Sequence, residues 1–261
     1  MKLTSALCVA ASVMTLAPAF SVPATPSAAF TAAQEQRIGE VAAEYLRTHP
    51  DILIEMSETL RAREEEKQTA ALKTAALAQQ KRITGNPGIP VTGPETATVM
   101  AVVFFDYQCI WCSRLAPELE KVMQANPDVR YHFMEWPVFG SRWPASLLAA
   151  KTGLQVWKTQ GAQAYLRYHH ALFAGGLTEG RLTSEVVEKA SGKRQFTPAG
   201  IGDINATLTD INDIATATGF TGTPGIIIMP VSGATTENTT VFAGMTEAEA
   251  LQKSIDKARQ P

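Results

Sequence analysis

A chain of 261 residues, 45% of them hydrophobic and 18% charged, carries enough apolar material for one large folded domain or a domain with an appendage. A formal net charge of -2 gives no electrostatic basis for binding nucleic acid or an anionic membrane, so neither is expected as a partner. No stretch reaches the roughly 18 apolar residues of a membrane-spanning helix.

The N-terminus has the layout of an export signal. Lys2 supplies a positive start, Leu3 to Leu16 is uncharged and mostly apolar, and Ala17-Pro18-Ala19 offers a small-x-small cleavage site. Residues 1–19 are therefore expected to be a signal peptide and the mature protein to be periplasmic or otherwise exported. The alternatives are an uncleaved anchor and a lipid anchor on Cys8. The second is disfavoured by Leu7, which stands where a small residue is wanted.

Residues 20–84 read as a helical oligomerisation segment and stem. Ser21 to Ala33, rich in Pro, Ala, Ser and Thr, is a flexible leader. Helix is expected from Gln34 to about Arg82, with Ile38, Val41, Tyr45 and Leu46 at helical spacing. Pro50 and Asp51 suit the first turn of a second helix, whose stripe continues through Ile52, Leu53, Met56 and Leu60. From Arg61 to Arg82 the large apolar residues thin out to Leu72 and Leu77, so this stem buries little by itself. The stripe either docks on the main domain or pairs with copies of itself. Its separation from the body by a polar stem favours a homo-oligomer.

Gly85 to Pro94 is rich in helix-breaking Gly and Pro, and the boundary of the main domain, residues 85–261, is placed there. Val99 to Phe105 is a continuous apolar run, the pattern of a strand buried on both faces. Leu115, Leu119, Val122 and Met123 mark an amphipathic helix ending near Asn126-Pro127, and Val129 to Trp136 is the next strand. Strand, helix, strand in this order is a βαβ unit, so the fold class is α/β. About residues 144–219 read as a helical insertion. Ile226 to Met229 and Thr239 to Ala243 follow as strands, and Thr246 to Arg259 closes as a helix.

The chemistry-bearing motif is Cys109-Ile110-Trp111-Cys112, after the buried strand and at the start of a helix. Once Cys8 leaves with the signal, these are the two cysteines of the mature chain. A lone C-x-x-C closes too short a loop to be a useful structural staple. Only a thiolate attacks a disulfide, and a helix N-terminus stabilises one. Cys109 is accordingly the expected nucleophile and Cys112, one turn further in, the resolving thiol, with no cofactor beyond the redox-active pair itself. A closed zinc site needs four ligands, and the motif gives two. Copper(I) held by two thiolates stays open as an alternative function. His169 and His170 are expected at the surface or capping a helix, and His132 in a structural role.

The stretch Phe104 to Cys112, with Thr221-Gly222-Thr223-Pro224 further on, resembles the active-site segment and cis-proline loop of DsbA-like thioredoxin-fold proteins. With the exported N-terminal helices, the chain is similar to their ScsC-like (suppressor of copper sensitivity) branch, over about residues 35 to 259. The resemblance implies a thioredoxin-like fold with a helical insertion and an N-terminal helical segment. It also implies a cis Pro224, and Thr223 lining a substrate groove, where Trp111 either contacts substrate or shields the disulfide. The implied substrates are exported cysteine-containing proteins. The implied membrane redox partner is DsbB-like for a monomeric oxidase and DsbD/ScsB-like for an oligomeric isomerase, the direction the stripe favours. The family often has a buried Glu six residues before the first cysteine and a Lys in the next strand. Here Val103 and, as the best match, Met134 stand in their places. Joint loss of such a pair is energetically coherent, and it leads us to expect slow deprotonation of Cys112.

Overall fold

The structure is a computed structural model that describes residues 29–192 and 198–260. Residues 1–28, which include the expected signal peptide and Cys8, lie outside the described residues. Two compact units divide between Leu60 and Arg61. In the first, helix α1 (Ala32–Thr48) opens with a capping box in which Thr31 and Gln34 satisfy each other's backbone N–H groups. It ends before Pro50, and α2 (Asp51–Gly85) then begins and runs on without a break. No residue of α1 is buried. Ile38, Val41, Tyr45, Leu53, Ile54, Met56 and Leu60 are all at least half exposed.

The second compact unit starts within α2, at Arg61. Ala76 and Ile83 of α2 are buried in the core, and the Gln80 amide donates to the Pro230 and Val231 carbonyls at 2.9 and 3.0 Å. The small Ala76 does what the thinning of large apolar residues seemed to rule out, because a helix can lie close on the sheet where its side chains are short.

The sheet comprises β1 (Val91–Thr92), β2 (Val99–Phe105), β3 (Arg130–Glu135), β4 (Gly225–Pro230) and β5 (Thr240–Phe242), in the order β1-β3-β2-β4-β5. β2 and β3 are parallel, and the other pairs are antiparallel. The parallel pair is joined by α3 (Ile110–Ala125), as the βαβ reading required. Because strand side chains alternate, β2 feeds two cores. Val99, Ala101, Val103 and Phe105 pack with α3, α5 (Ala162–Ala174) and α8 (Ala248–Ala258). Met100, Val102 and Phe104 pack with the end of α2 and with α7 (Pro198–Thr218). The insertion is completed by α4 (Pro144–Gln160) and α6 (Ser184–Ala190). Gly161 joins α4 to α5 at φ 79°, a conformation open to glycine at little cost.

This alternation corrects the match of Met134 to the family's lysine. Met134 belongs to the α7 side, whereas Val103 faces α3, and its cross-strand partner is Phe133. The β3 side chain on the Val103 face nearest the strand end is Glu135, opposite Phe105.

Candidate active site

β2 delivers the chain to a tight turn that Asp106 organises. Its carbonyl accepts the Cys109 N–H at 3.0 Å, Oδ1 accepts the Gln108 N–H at 2.8 Å, and Oδ2 accepts Phe139 N–H and Ser146 Oγ–H at 2.9 and 2.7 Å. Burial raises the Asp106 pKa while these bonds oppose it. Gln108 ties the turn to the insertion, its carbonyl and Oε1 accepting the N–H groups of Glu179 and Gly180 at 2.9 Å each.

Cys109 is the N-cap of α3, and its Sγ accepts the Cys112 N–H at 3.4 Å. When protonated, its thiol donates to the Thr223 carbonyl at 3.3 Å. The hydrogen bond from the Cys112 thiol is the largest cause of a Cys109 pKa lowered to about 6. Burial opposes it, and the Thr223 hydroxyl and the N–H groups of Cys112 and Trp111 reinforce it. Cys112 goes the other way. Burial, with Cys109 as hydrogen-bonded and charged neighbour, pushes its thiol well above the usual range. At neutral pH Cys109 is thus the thiolate and Cys112 the proton holder. Rapid alkylation of the dithiol protein should follow a single titration with a midpoint near pH 6 and modify Cys109 alone. The Thr223 hydroxyl is buried with no hydrogen-bond partner among the described residues and stands where it lowers the Cys109 pKa, so Thr223→Val should move that midpoint upward. An unchanged midpoint would remove Thr223 from the account.

The Thr223–Pro224 peptide is cis. Beside it lies a groove of about 460 Å³ lined by Trp111, Thr221, Gly222, Thr223, Pro224 and Met245 among others. Cys109 itself is 3% exposed, and its Sγ lies 3.3 Å from the carbonyl of Thr223, a residue of the groove wall. Trp111 stands 51% exposed on the groove wall with the Arg114 guanidinium 4.6 Å from its ring centroid.

The sequence reading missed a second cluster behind the cysteines. The Glu135 carboxylate is buried, and its Oε1 accepts the hydroxyls of Tyr107 and Tyr165 at 2.9 and 2.8 Å. His169, expected at the surface, is instead 3% exposed among Phe105, Phe133 and Phe173, with Nδ1 3.4 Å from the Tyr107 hydroxyl. Burial lowers its pKa to about 3. His170, next to it, is partly exposed, which is the helical divergence of adjacent residues applied the other way round. His132 is buried on β3. Among the described residues no group of three or more His, Cys, Asp or Glu is placed to hold a metal.

Two family models match the chain. The one described as thioredoxin covers residues 85–257, more than half of the chain, and the one described as the copper resistance protein ScsC N-terminal domain covers residues 34–67. Among solved structures, BcfH of Salmonella enterica Typhimurium is 38% identical with a TM-score of 0.75, over 87% of this chain and 96% of that one. A linker-deleted mutant of Proteus mirabilis ScsC, at 24% identity and a TM-score of 0.60 over 88% of this chain and 97% of that one, shares the fold. A curated relative, disulfide bond formation protein D of Bacillus subtilis, is 32% identical over 98 residues, which is 35% of this chain and 42% of that protein's length.

Proposed function

We propose, for a chain that belongs to the thioredoxin family in its ScsC-like, DsbA-related branch, that it catalyses thiol–disulfide exchange on exported proteins in the periplasm through Cys109 and Cys112. The observation that carries this reading is the pairing of a Cys109 held as thiolate with a Cys112 held as thiol, beside a peptide-sized groove. With its pKa near 6, about nine tenths of Cys109 is ionised at pH 7. It attacks one sulfur of a substrate disulfide, the other sulfur leaves as thiolate, and a mixed disulfide forms. Cys112 then gives up its proton and attacks Cys109 Sγ, which releases the second substrate thiol and closes the Cys109–Cys112 disulfide. An extended substrate chain lies along Thr223 and Pro224 with apolar contact to Trp111.

The half-exposed stripe of Ile38, Val41, Tyr45, Leu53, Met56 and Leu60 supports self-association. Several reduced sites on one oligomer suit the reshuffling of wrong disulfides, with a DsbD/ScsB-like membrane partner keeping the sites reduced. One observation favours a second reading. Lowering Cys109 to about 6 stabilises the dithiol form by about 30 mV at pH 7, which makes the disulfide more oxidising and suits a monomeric donor reoxidised by a DsbB-like partner.

Rescue of a mispaired, multi-disulfide substrate separates the two. The comparison is between the mature chain, the full-length double variant Leu53→Lys/Leu60→Lys, and a chain starting at Arg61, where the second compact unit begins. A start near Gly85 would strip Ala76 and Ile83 from the core. An oligomeric isomerase loses its association and its rescue in both altered forms, yet still oxidises reduced substrate. Equal rescue by a monomeric variant, or a monomeric mature chain, overturns the oligomer.

A further inference from the structure

Glu135 is a buried carboxyl on the same face of the sheet as the cysteines, with no salt bridge among the described residues. It has been given room. Any Cβ on Gly153 of α4 would stand 2.5 Å from its Oε1. Its Oε2 has no hydrogen-bond partner among the described residues. Burying such a group costs far more than a leucine would, so packing alone gives no reason for it.

Its connections lead toward Cys112. Tyr107 has one hydroxyl hydrogen, and the 2.9 Å bond gives it to Glu135. The 3.4 Å approach of His169 to the same hydroxyl is then made by Nδ1–H as donor, a tautomer assigned from the network. This leaves Nε2 as the acceptor. His169 and Cys112 line one narrow crevice together with Val103, Phe105, Leu115 and Phe173.

We propose that Glu135, through Tyr107 and His169, is the proton acceptor for Cys112 in the resolving step. It is a positioning and relay group in place of the charged pair absent at Val103 and Phe133. The inference rests on the Cys109/Cys112 reading above. As Cys112 attacks the mixed disulfide, its S–H proton passes by way of the crevice to His169 Nε2. The Nδ1 proton passes to the Tyr107 oxygen, and the Tyr107 proton to the Glu135 carboxylate. The sulfur electron pair forms the Cys109–Cys112 bond, and the substrate leaves with the pair of the broken bond. In the reverse direction the same chain returns a proton to the departing Cys112.

Burial and Asp106 raise the Glu135 pKa, with the Tyr165 and Tyr107 hydroxyls opposing, which brings a carboxyl within reach of a thiol's proton. The other titratable groups around the relay are Asp106, Tyr165 and Tyr168, and burial holds both tyrosines in the neutral form.

The test is single-turnover release of a single-cysteine peptide from its mixed disulfide with Cys109, followed from pH 5 to 9 in the mature protein. Release should slow as pH falls and Glu135 takes up its proton. Glu135→Gln should slow release at least about tenfold at pH 7 and erase that limb, while alkylation of Cys109 keeps its midpoint near pH 6. Tyr107→Phe removes one hydroxyl and leaves Tyr165 on Glu135. With the link between His169 and Glu135 cut, it should slow release as much as Glu135→Gln and erase the same limb, so the test does not hang on Glu135→Gln folding. Equal rates and equal pH profiles in both variants and the parent would overturn the relay. Failure of the parent itself to form and resolve a mixed disulfide would instead overturn the Cys109/Cys112 reading.

Discussion

Replacing Cys109 with alanine reduces exchange with a protein disulfide to the uncatalysed rate, a loss of at least about 1,000-fold, and leaves the fold intact. The first half follows from the division of roles. The Cys112 pKa lies well above the ordinary thiol range, so at neutral pH it supplies almost no thiolate. Removing Cys109 also removes the neighbour that lowers the barrier for Cys112, because intramolecular attack needs the mixed disulfide first. The second half follows from packing. Cys109 contributes a small side chain at a helix N-cap, where the α3 N–H groups stay close to the open groove and water. A fall in stability of about 1 kcal/mol, the usual worth of a cap, is expected, and it is far too small to explain the lost activity. Insulin-type turbidity together with thermal unfolding checks both halves. Residual activity above one per cent would move the nucleophile elsewhere.

Substituting His132 with leucine stabilises the protein at neutral pH and flattens its acid unfolding. His132 sits on β3 between Val91 and Val102, and neither ring nitrogen has a partner among the described residues. Burial, helped by Arg130, lowers its pKa from 6.5 to about 4. The folded-state value is depressed, so the unfolded chain binds the proton first. The stability is complete above pH 6.5 and is lost as pH falls through that window to about 4. One proton over that span amounts to about 3 kcal/mol. Asp106 and Glu135 have raised pKa values and act in the opposite sense, gaining stability as pH falls. The informative quantity is therefore the difference between variant and parent. Denaturant unfolding at pH 7, 5.5 and 4 should show the leucine variant gaining steadily on the parent. Parallel curves would mean that His132 is solvated or paired.

Much of this was legible in the sequence, and the reasons are local. An unbroken Val99–Phe105 run can only be a strand covered on both sides, and the structure buries all seven of its residues. A C-x-x-C before an amphipathic stripe places one thiol at a helix start, and Gly-Thr-Pro-Gly announces a turn. The N-terminal helices declared themselves by stripe spacing and by Pro50 and Asp51 in a first turn. What escaped depended on partners far along the chain. Glu135 looked like an ordinary strand-end carboxylate, because Tyr107 and Tyr165 reach it from a turn and a helix that no period links to it. His169 and His170 could not be told apart until the face of α5 was fixed by its packing on Phe105 and Phe133. Met134 was taken for Val103's neighbour because a one-residue slip in strand register reverses every face. The unit boundary lay hidden inside α2, since a helix can leave one compact unit and enter another without a breaking residue.

The central claim is that Cys109 attacks and Cys112 resolves. It is tested most directly by mixing the mature Cys112→Ala variant with a disulfide-linked peptide at pH 7, quenching with acid and mapping the product by mass spectrometry. The account predicts a stable one-to-one mixed disulfide on Cys109 that forms at the parent's rate, and none with Cys109→Ala. A covalent adduct on Cys112 in the Cys109→Ala variant, formed as fast as the parent reacts, would contradict it.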